Sequence, residues 1–349
     1  MKDFRFPIRP RLLPLLTAPS PALDRQRPRA EVWLDANENP FNAPLNRYAV
    51  NPDELVDTLS RIRRVPSQRL FLCRGTYEAL ELLLHLCCTP RQDNVLTTSP
   101  TISPVQKLCL LHDVECRTVE LDEHFNLTAA AVLRQCNDRT RLCYLCSPNN
   151  PTGNLLDRQE ILHLAEKFHG LVLVDEAYVD FASCPSLVAE QEEHPNLVII
   201  HSFSAILAAA GLCLATVYAH PELVDALRAI RPDHHLSSPV LEEAGRTLKR
   251  YFDADRWKAQ ILDERTKVMA AFRQLACCVR VYPSDANFFM ARMHDGRHLY
   301  QLLEQQGIHV FSCQSLPRCQ DCLRITIGLN AENSRLLGAL RALPRKFMS

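Results

Sequence analysis

Arg141-Leu-Cys-Tyr-Leu-Cys146 followed by Ser147-Pro-Asn-Asn-Pro-Thr-Gly153 sets a short apolar run directly against a turn built from two prolines, two asparagines and a glycine. A run of that length bounded by turn residues reads as a buried strand ending in a loop. Upstream and downstream, the same unit recurs. Further strands are expected at Leu70–Cys73, Asn94–Thr98, Glu115–Glu120, Leu171–Asp175, Leu197–His201 and Leu214–Ala219. Amphipathic helical patterns lie between them at Tyr77–Cys88, Val105–His112, Ala129–Gln135 and Arg158–Phe168. Strand–helix alternation over this length predicts an α/β fold, a mostly parallel seven-stranded sheet covered by helices on both faces.

Open sheets of this kind bind ligands beyond the carboxyl ends of their strands. Three segments there carry polar side chains: Ser147–Gly153, Asp175-Glu-Ala-Tyr178, and Ser202-Phe-Ser-Ala205. After Pro221 the pattern changes. A long helical stretch from Val240 to Leu275 leads to shorter strands near Val279–Tyr282, Asn287–Arg292 and Leu323–Ile327, with helices at Arg297–Gln306 and Glu332–Leu343. This predicts a large α/β domain over residues 46–245 and a smaller α+β domain from residues 246–349, completed by an N-terminal arm, residues 1–45.

Several function classes are disfavoured by composition. The 349 residues carry 40 basic and 40 acidic side chains, so no global field draws the chain to nucleic acid or an acidic membrane. No apolar run reaches the length of a membrane span, and Met1–Pro28 lacks the apolar stretch of a signal peptide, which makes the cytoplasm the expected compartment. Only nine glycines occur, and neither G-x-G-x-x-G nor the P-loop pattern is among them. Most of the fifteen cysteines fall inside apolar runs and read as reduced, buried thiols. Cys143 and Cys146 face opposite sides of a strand; Cys319 and Cys322, with Cys313 upstream, lack a second matching pair, so no metal site is assigned.

Taken in order, S-P-N-N-P-T-G, D-E-A-Y and S-x-S-x with Gly211 six residues on resemble the signature of fold-type I pyridoxal-phosphate aminotransferases. Leu34-Asp-Ala-Asn-Glu-Asn-Pro40 and Cys322-Leu-Arg-Ile-Thr-Ile-Gly328 narrow the resemblance to the histidinol-phosphate aminotransferase family, from about Val32 to Leu343. In that family the cofactor acts as an electron sink whose ring and phosphate the protein must hold. The resemblance implies that Asp175 pairs with the ring nitrogen and that Asn150 and Tyr178 bond the ring's phenolic oxygen. It places Ser202, Ser204, Gly75 and Thr76 around the phosphate. Tyr48 would reach the cofactor phosphate of a second subunit, which implies a homodimer. Arg324 would grip the substrate carboxylate as a planar bidentate donor, with Asn37 in the segment that closes over it.

The departures cluster at the same place. Ala205 stands where the family has the lysine that binds the cofactor covalently and shuttles the proton, and alanine can do neither. Cys213 replaces a phosphate-clamping arginine. Tyr77 replaces a small acidic residue at the helix entrance, Ile102 the aromatic that stacks on the ring, and Phe311 a second substrate arginine. The neutral thiol of Cys213, between Leu212 and Leu214, reads as buried and inert. Lys107, Lys249, Lys258 and Lys267 lie on helices, where lysine is normally solvated.

Together these changes point to a pseudo-aminotransferase, a binding or partner subunit working beside an active paralogue or pathway partner. The alternative is an enzyme that uses pyridoxal or pyridoxamine phosphate (PLP or PMP) non-covalently, or the old pocket with no cofactor, on an amino-acid-like or phosphorylated substrate. Residual aminotransferase activity is the third reading.

Overall fold

The computed structural model describes residues 4–17, 32, 34, 36–49, 52–232 and 234–343. Seven strands form the large sheet: β1 (Leu70–Cys73), β2 (Asn94–Ser99), β3 (Glu115–Glu120), β4 (Thr140–Cys146), β5 (Leu171–Asp175), β6 (Leu197–Ser202) and β7 (Ala215–Tyr218). Their order is β1-β7-β6-β5-β4-β2-β3. All run parallel except β7, which pairs antiparallel with both β1 and β6. Because β7 runs backwards between β6 and β1, its first residue Ala215 sits opposite both Ser202 and Cys73. The carboxyl ends of β1, β2, β4, β5 and β6 and the approach to β7 therefore share one edge, where the functional segments were expected.

Strands β1, β4, β5, β6 and β7 are largely apolar at consecutive positions because both faces are covered, whereas edge strand β3 is mostly exposed or half-buried. Leu142, Tyr144 and Cys146 of β4 join one core, while Cys143 and Leu145 join the other. Cys143 and Cys146 thus face opposite sides. One layer is covered by α3 (Gly75–Cys87), α4 (Val105–Leu111) and α7 (Pro221–Ile230). The other is covered by α2 (Asp53–Arg63), α5 (Ala129–Gln135), α6 (Arg158–Lys167) and α8 (Ser238–Lys249). Each fully buried leucine in these layers contributes roughly 1.5–3 kcal/mol.

Of the N-terminal segment, expected with the smaller domain, residues 4–17 lie on the large one. Phe4, Phe6 and Ile8, together with Leu16 of α1 (Leu13–Thr17), pack against the α3–α7 layer, and the Arg9 N–H donates to Leu86 O at 2.9 Å. The alternation of phenylalanine and isoleucine in this stretch finds a ready apolar surface there.

The long helical pattern resolves into two helices. It breaks at Arg250 (φ −95°, ψ 15°) between α8 and α9 (Tyr251–Arg273). Ala244 and Leu248 of α8 belong to the large-domain core, whereas Val268, Met269 and Phe272 of α9 belong to the small-domain core. The small domain is an antiparallel sheet in the order β10-β11-β9-β8, with β8 (Cys278–Val281), β9 (Phe288–Met293), β10 (Phe311–Ser312) and β11 (Cys322–Thr326). It is packed by α9, α10 (Gly296–Gln305) and α11 (Asn330–Arg341). Met290, Tyr282 and Cys322 reach across into the large-domain core, so the junction is apolar and continuous. No helix among the described residues is long and apolar enough to cross a membrane.

Candidate functional site

Asp175 ends β5 and is 7% exposed. Tyr144 Oη donates to its Oδ2 at 2.8 Å and the Ala177 N–H to its Oδ1 at 3.1 Å. Burial pushes the Asp175 carboxyl above its ordinary range, and these two donors offset only part of that. Burial likewise raises the Tyr144 hydroxyl, with the charge of Asp175 adding to it. Sequence reasoning missed Tyr144. The register pairs Cys146 with Asp175, and Tyr144 lies two residues back on the same face, so a buried tyrosine at that diagonal was the available signal.

Within the turn after β4 the two asparagines divide the work. Asn149 is fully buried and organises the loop. Its Nδ2 donates to Pro100 O (3.0 Å) and Thr152 Oγ1 (2.8 Å), and its Oδ1 accepts from Thr101 Oγ1 (2.9 Å). That frees Asn150 to face the site, where its Nδ2 donates to Tyr178 Oη at 3.3 Å. Gly153, at φ 85°, turns the loop so that its carbonyl accepts the Asp285 N–H at 2.7 Å, which ties it to the small domain. The other acid of the segment, Glu176, has a separate structural task. It accepts from Ser186 Oγ and from the Leu187 N–H (2.9 Å), and lies 2.9 Å from His201 Nε2.

Arg324, in the middle of β11, closes the group across the junction. Its Nη1 donates to Asn150 Oδ1 at 2.5 Å. The guanidinium lies 4.4 Å from the Phe311 ring centroid and 5.4 Å from that of Phe288, and Tyr178 meets Phe288 edge-on at 5.0 Å. Phe311 sits opposite Arg324 in the β10–β11 pairing and supplies a stacking face. The Arg324 Nε is buried with no hydrogen-bond partner. Phe288 had no sequence signal beyond its place in an apolar strand.

Around the edge, the remaining expected residues are arranged less tightly. The Ile102 N–H donates to Asn150 O at 2.6 Å, so this segment is anchored to the site through its backbone. Ser204 N–H donates to Ser202 Oγ at 3.1 Å, and Ala205 packs half-buried against the large-domain core. Gly75 opens α3 at φ 73°, a left-handed conformation that glycine adopts without strain. Thr76 follows it in the first turn of α3. Glu78 occupies the start of α3, accepting the Arg74 N–H at 2.6 Å and pairing with the Arg74 guanidinium at 2.8 Å. Cys213, expected buried, is exposed in a left-handed conformation (φ 49°) because its apolar neighbour Leu214 turns inward while its own side chain turns out. Tyr77 is 40% exposed and lies on the surface of α3.

Asn37 and Tyr48 belong to an exposed segment whose bonds run largely within itself. Glu38 accepts from Arg47 (2.7 Å) and from the Tyr48 N–H (2.6 Å), and Asn37 has φ 55°. Tyr48 stacks on His234 at 4.2 Å, while His235 bonds Leu72 O. Among the described lysines, Lys107, Lys167, Lys249 and Lys267 are exposed, and Lys258 lies on α9 near Asp180. Cys313, Cys319 and Cys322 are buried, and burial pushes the Cys313 and Cys319 thiols up to about 12.

Residues 36–340 match the family model for aminotransferase class I and II. The histidinol-phosphate aminotransferase of Bacteroides thetaiotaomicron is 40% identical over 316 residues, 89% of this chain and 90% of that protein. That of Parabacteroides distasonis is 37% identical over 345 residues, 98% of this chain and 99% of its own length. Among solved structures, histidinol-phosphate aminotransferase from Sinorhizobium meliloti in complex with pyridoxal-5'-phosphate gives a TM-score of 0.76 at 21% identity, covering 95% of this chain and 97% of that one. The Clostridium acetobutylicum enzyme gives 0.77 at 21% identity, covering 85% and 90%. At those identities the structural likeness is one of fold.

Proposed function

This chain belongs to the class I and II aminotransferases, within the histidinol-phosphate aminotransferase family, and from that premise we propose that it is a degenerate member that does not transaminate through a lysine. One observation carries the reading. Just past β6, which ends at Ser202, the residue after Ser204 is Ala205, a methyl group, and of the described lysines Lys107, Lys167, Lys249 and Lys267 are exposed on helices. A side chain with no lone pair can neither bond a cofactor carbonyl nor carry a proton. The protein then acts as a binding or partner subunit, working as a homodimer in the cytoplasm or beside an active paralogue.

The ring end of the old site still suits a non-covalent ligand. A bound pyridoxal- or pyridoxamine-phosphate ring would supply an electron sink. Asp175 would face its nitrogen, with Tyr144 orienting the carboxylate, and Asn150 and Tyr178 would bond its phenolic oxygen. The phosphate end is weaker. Ser202, Ser204, Gly75 and Thr76 offer neutral donors, Cys213 brings no positive charge, and Glu78 already holds a carboxylate at the start of α3. Arg324, with an unpartnered Nε between two aromatic rings, suits a carboxylate of an amino-acid-like ligand.

Two measurements test this. Purified protein incubated with pyridoxal phosphate, treated with borohydride and digested should show no modified lysine by mass spectrometry; a specific, stoichiometric adduct sinks the proposal. Calorimetric titration with pyridoxamine phosphate should give weak binding that Asp175→Ala abolishes. No heat at millimolar ligand removes the non-covalent cofactor and leaves the partner-subunit reading.

A further inference from the structure

Beyond its Gly75 start at the functional edge, α3 carries Glu81 and His85 one turn apart. His112 follows α4 directly and is fixed there by its backbone N–H, which donates to Leu108 O and Cys109 O. One ligand atom from each of these three side chains lies within 4.8 Å of the other two. His85 Nε2 and His112 Nδ1 are 3.2 Å apart, with the rings at 90°. Two nitrogens each bonded at about 2.0–2.1 Å to one tetrahedral ion would stand about 3.3 Å apart. Glu81 Oε1 lies 3.5 Å from the other ring nitrogen of His112, and its carboxylate, 42% exposed, is free to swing toward an ion.

We propose that Glu81, His85 and His112 form a surface site for a divalent transition-metal ion of the zinc class, with two imidazoles, one carboxylate and an open fourth position. The ligand types are those zinc accepts, and two come from one helix turn and the third from the end of a neighbouring helix. A plain hydrogen-bond relay from Glu81 through His112 to His85 explains the cluster less well, because His112 Nε2 is buried and makes no hydrogen bond. The opposing charge is Arg9, whose Nη1 donates to His85 O at 3.0 Å, and Glu81 supplies the anion that balances it. A bound ion would staple α3 to the end of α4, beside the point where Arg9 ties down the N-terminal segment.

The experiment uses the full chain with the exposed thiols removed (Cys184→Ser, Cys213→Ser), titrated with Zn²⁺ by calorimetry and with Co²⁺ by visible absorption. One equivalent should bind, the Co²⁺ spectrum should be tetrahedral and lack a thiolate charge-transfer band, and EDTA should reverse the rise in melting temperature. His85→Ala and His112→Ala should each weaken Zn²⁺ by more than about 100-fold, beyond the 10–100-fold expected for loss of an outer partner. Glu81→Gln should weaken it at least about tenfold. His85 is exposed, so its variant should keep the metal-free melting temperature. Binding that survives His85→Ala, a thiolate band, or Glu81→Gln without effect overturns the site.

Discussion

Asp175 carries its charge against the cost of burial, and that cost has a measurable sign. Its folded carboxyl is raised above the ordinary 3.8, chiefly by desolvation, with Tyr144 and the Ala177 N–H pulling the other way. The folded chain thus binds this proton more readily than the unfolded one. Stability contributed here is present below the ordinary aspartate value and lost as pH rises through the raised one. Asp175→Asn should therefore raise the melting temperature at pH 7, by roughly 1–3 °C. The gain should vanish below the ordinary value, where both side chains are neutral. A lower melting temperature at pH 7 would show that the two hydrogen bonds outweigh desolvation. Arg324 works in the other direction. Its planar group fills the gap between Phe311 and Phe288 and holds Asn150, so Arg324→Ala should destabilise by about 1–3 kcal/mol in urea unfolding. Arg324→Lys should recover less than half, since an ammonium cannot stack as a plane while bonding an amide. Full recovery by lysine would reduce the role of Arg324 to charge alone.

At the scale of elements, the helix that follows the Asn149–Asn150 turn tests whether the loop is held from its far side. Asp157 caps α6, accepting from the Gln159 N–H at 2.7 Å and the Glu160 N–H at 3.2 Å. Asp157→Ala should cost about 1 kcal/mol of global stability. It should leave ligand binding at Asn150 unchanged, because Asn149 and Gly153 fix the turn independently. The large sheet was legible in the sequence because strands buried on both faces are apolar runs ended by turns, and β1 and β5 begin and end where the pattern does. The break at Arg250 was not, since the helical pattern runs on through it and arginine is no helix breaker. Within the site, Asn150, Tyr178 and Arg324 were legible by resemblance and meet in space. Tyr144 and Phe288 were hidden because, inside an apolar strand, a residue that packs and a residue that orients a functional group look alike. Cys213 was misjudged because its neighbours' hydropathy says nothing about a left-handed residue that turns its side chain outward.

For the whole molecule, the segment before α2 exposes several large apolar side chains among the described residues. Leu34 is 91% exposed, Phe41 78%, Leu45 62% and Tyr48 50%, although the ion pair of Glu38 with Arg47 holds the segment in shape. Scattered exposed apolar residues need no explanation, but four close together in sequence beside a stacked Tyr48–His234 pair suit a surface covered by another chain. A second copy of this chain would cover them, as the proposed homodimer requires. Sedimentation velocity should then give a dimer at micromolar concentration. The double change Phe41→Asp and Leu45→Asp should shift it to monomer while leaving the far-ultraviolet circular dichroism intact, because neither side chain belongs to a core of the single chain. If the wild type sediments as a monomer, the covering partner is a different protein, and the paralogue becomes the first to mix with it. If the charged variant stays dimeric, the interface lies elsewhere, and the role of Tyr48 toward a neighbouring subunit falls with it.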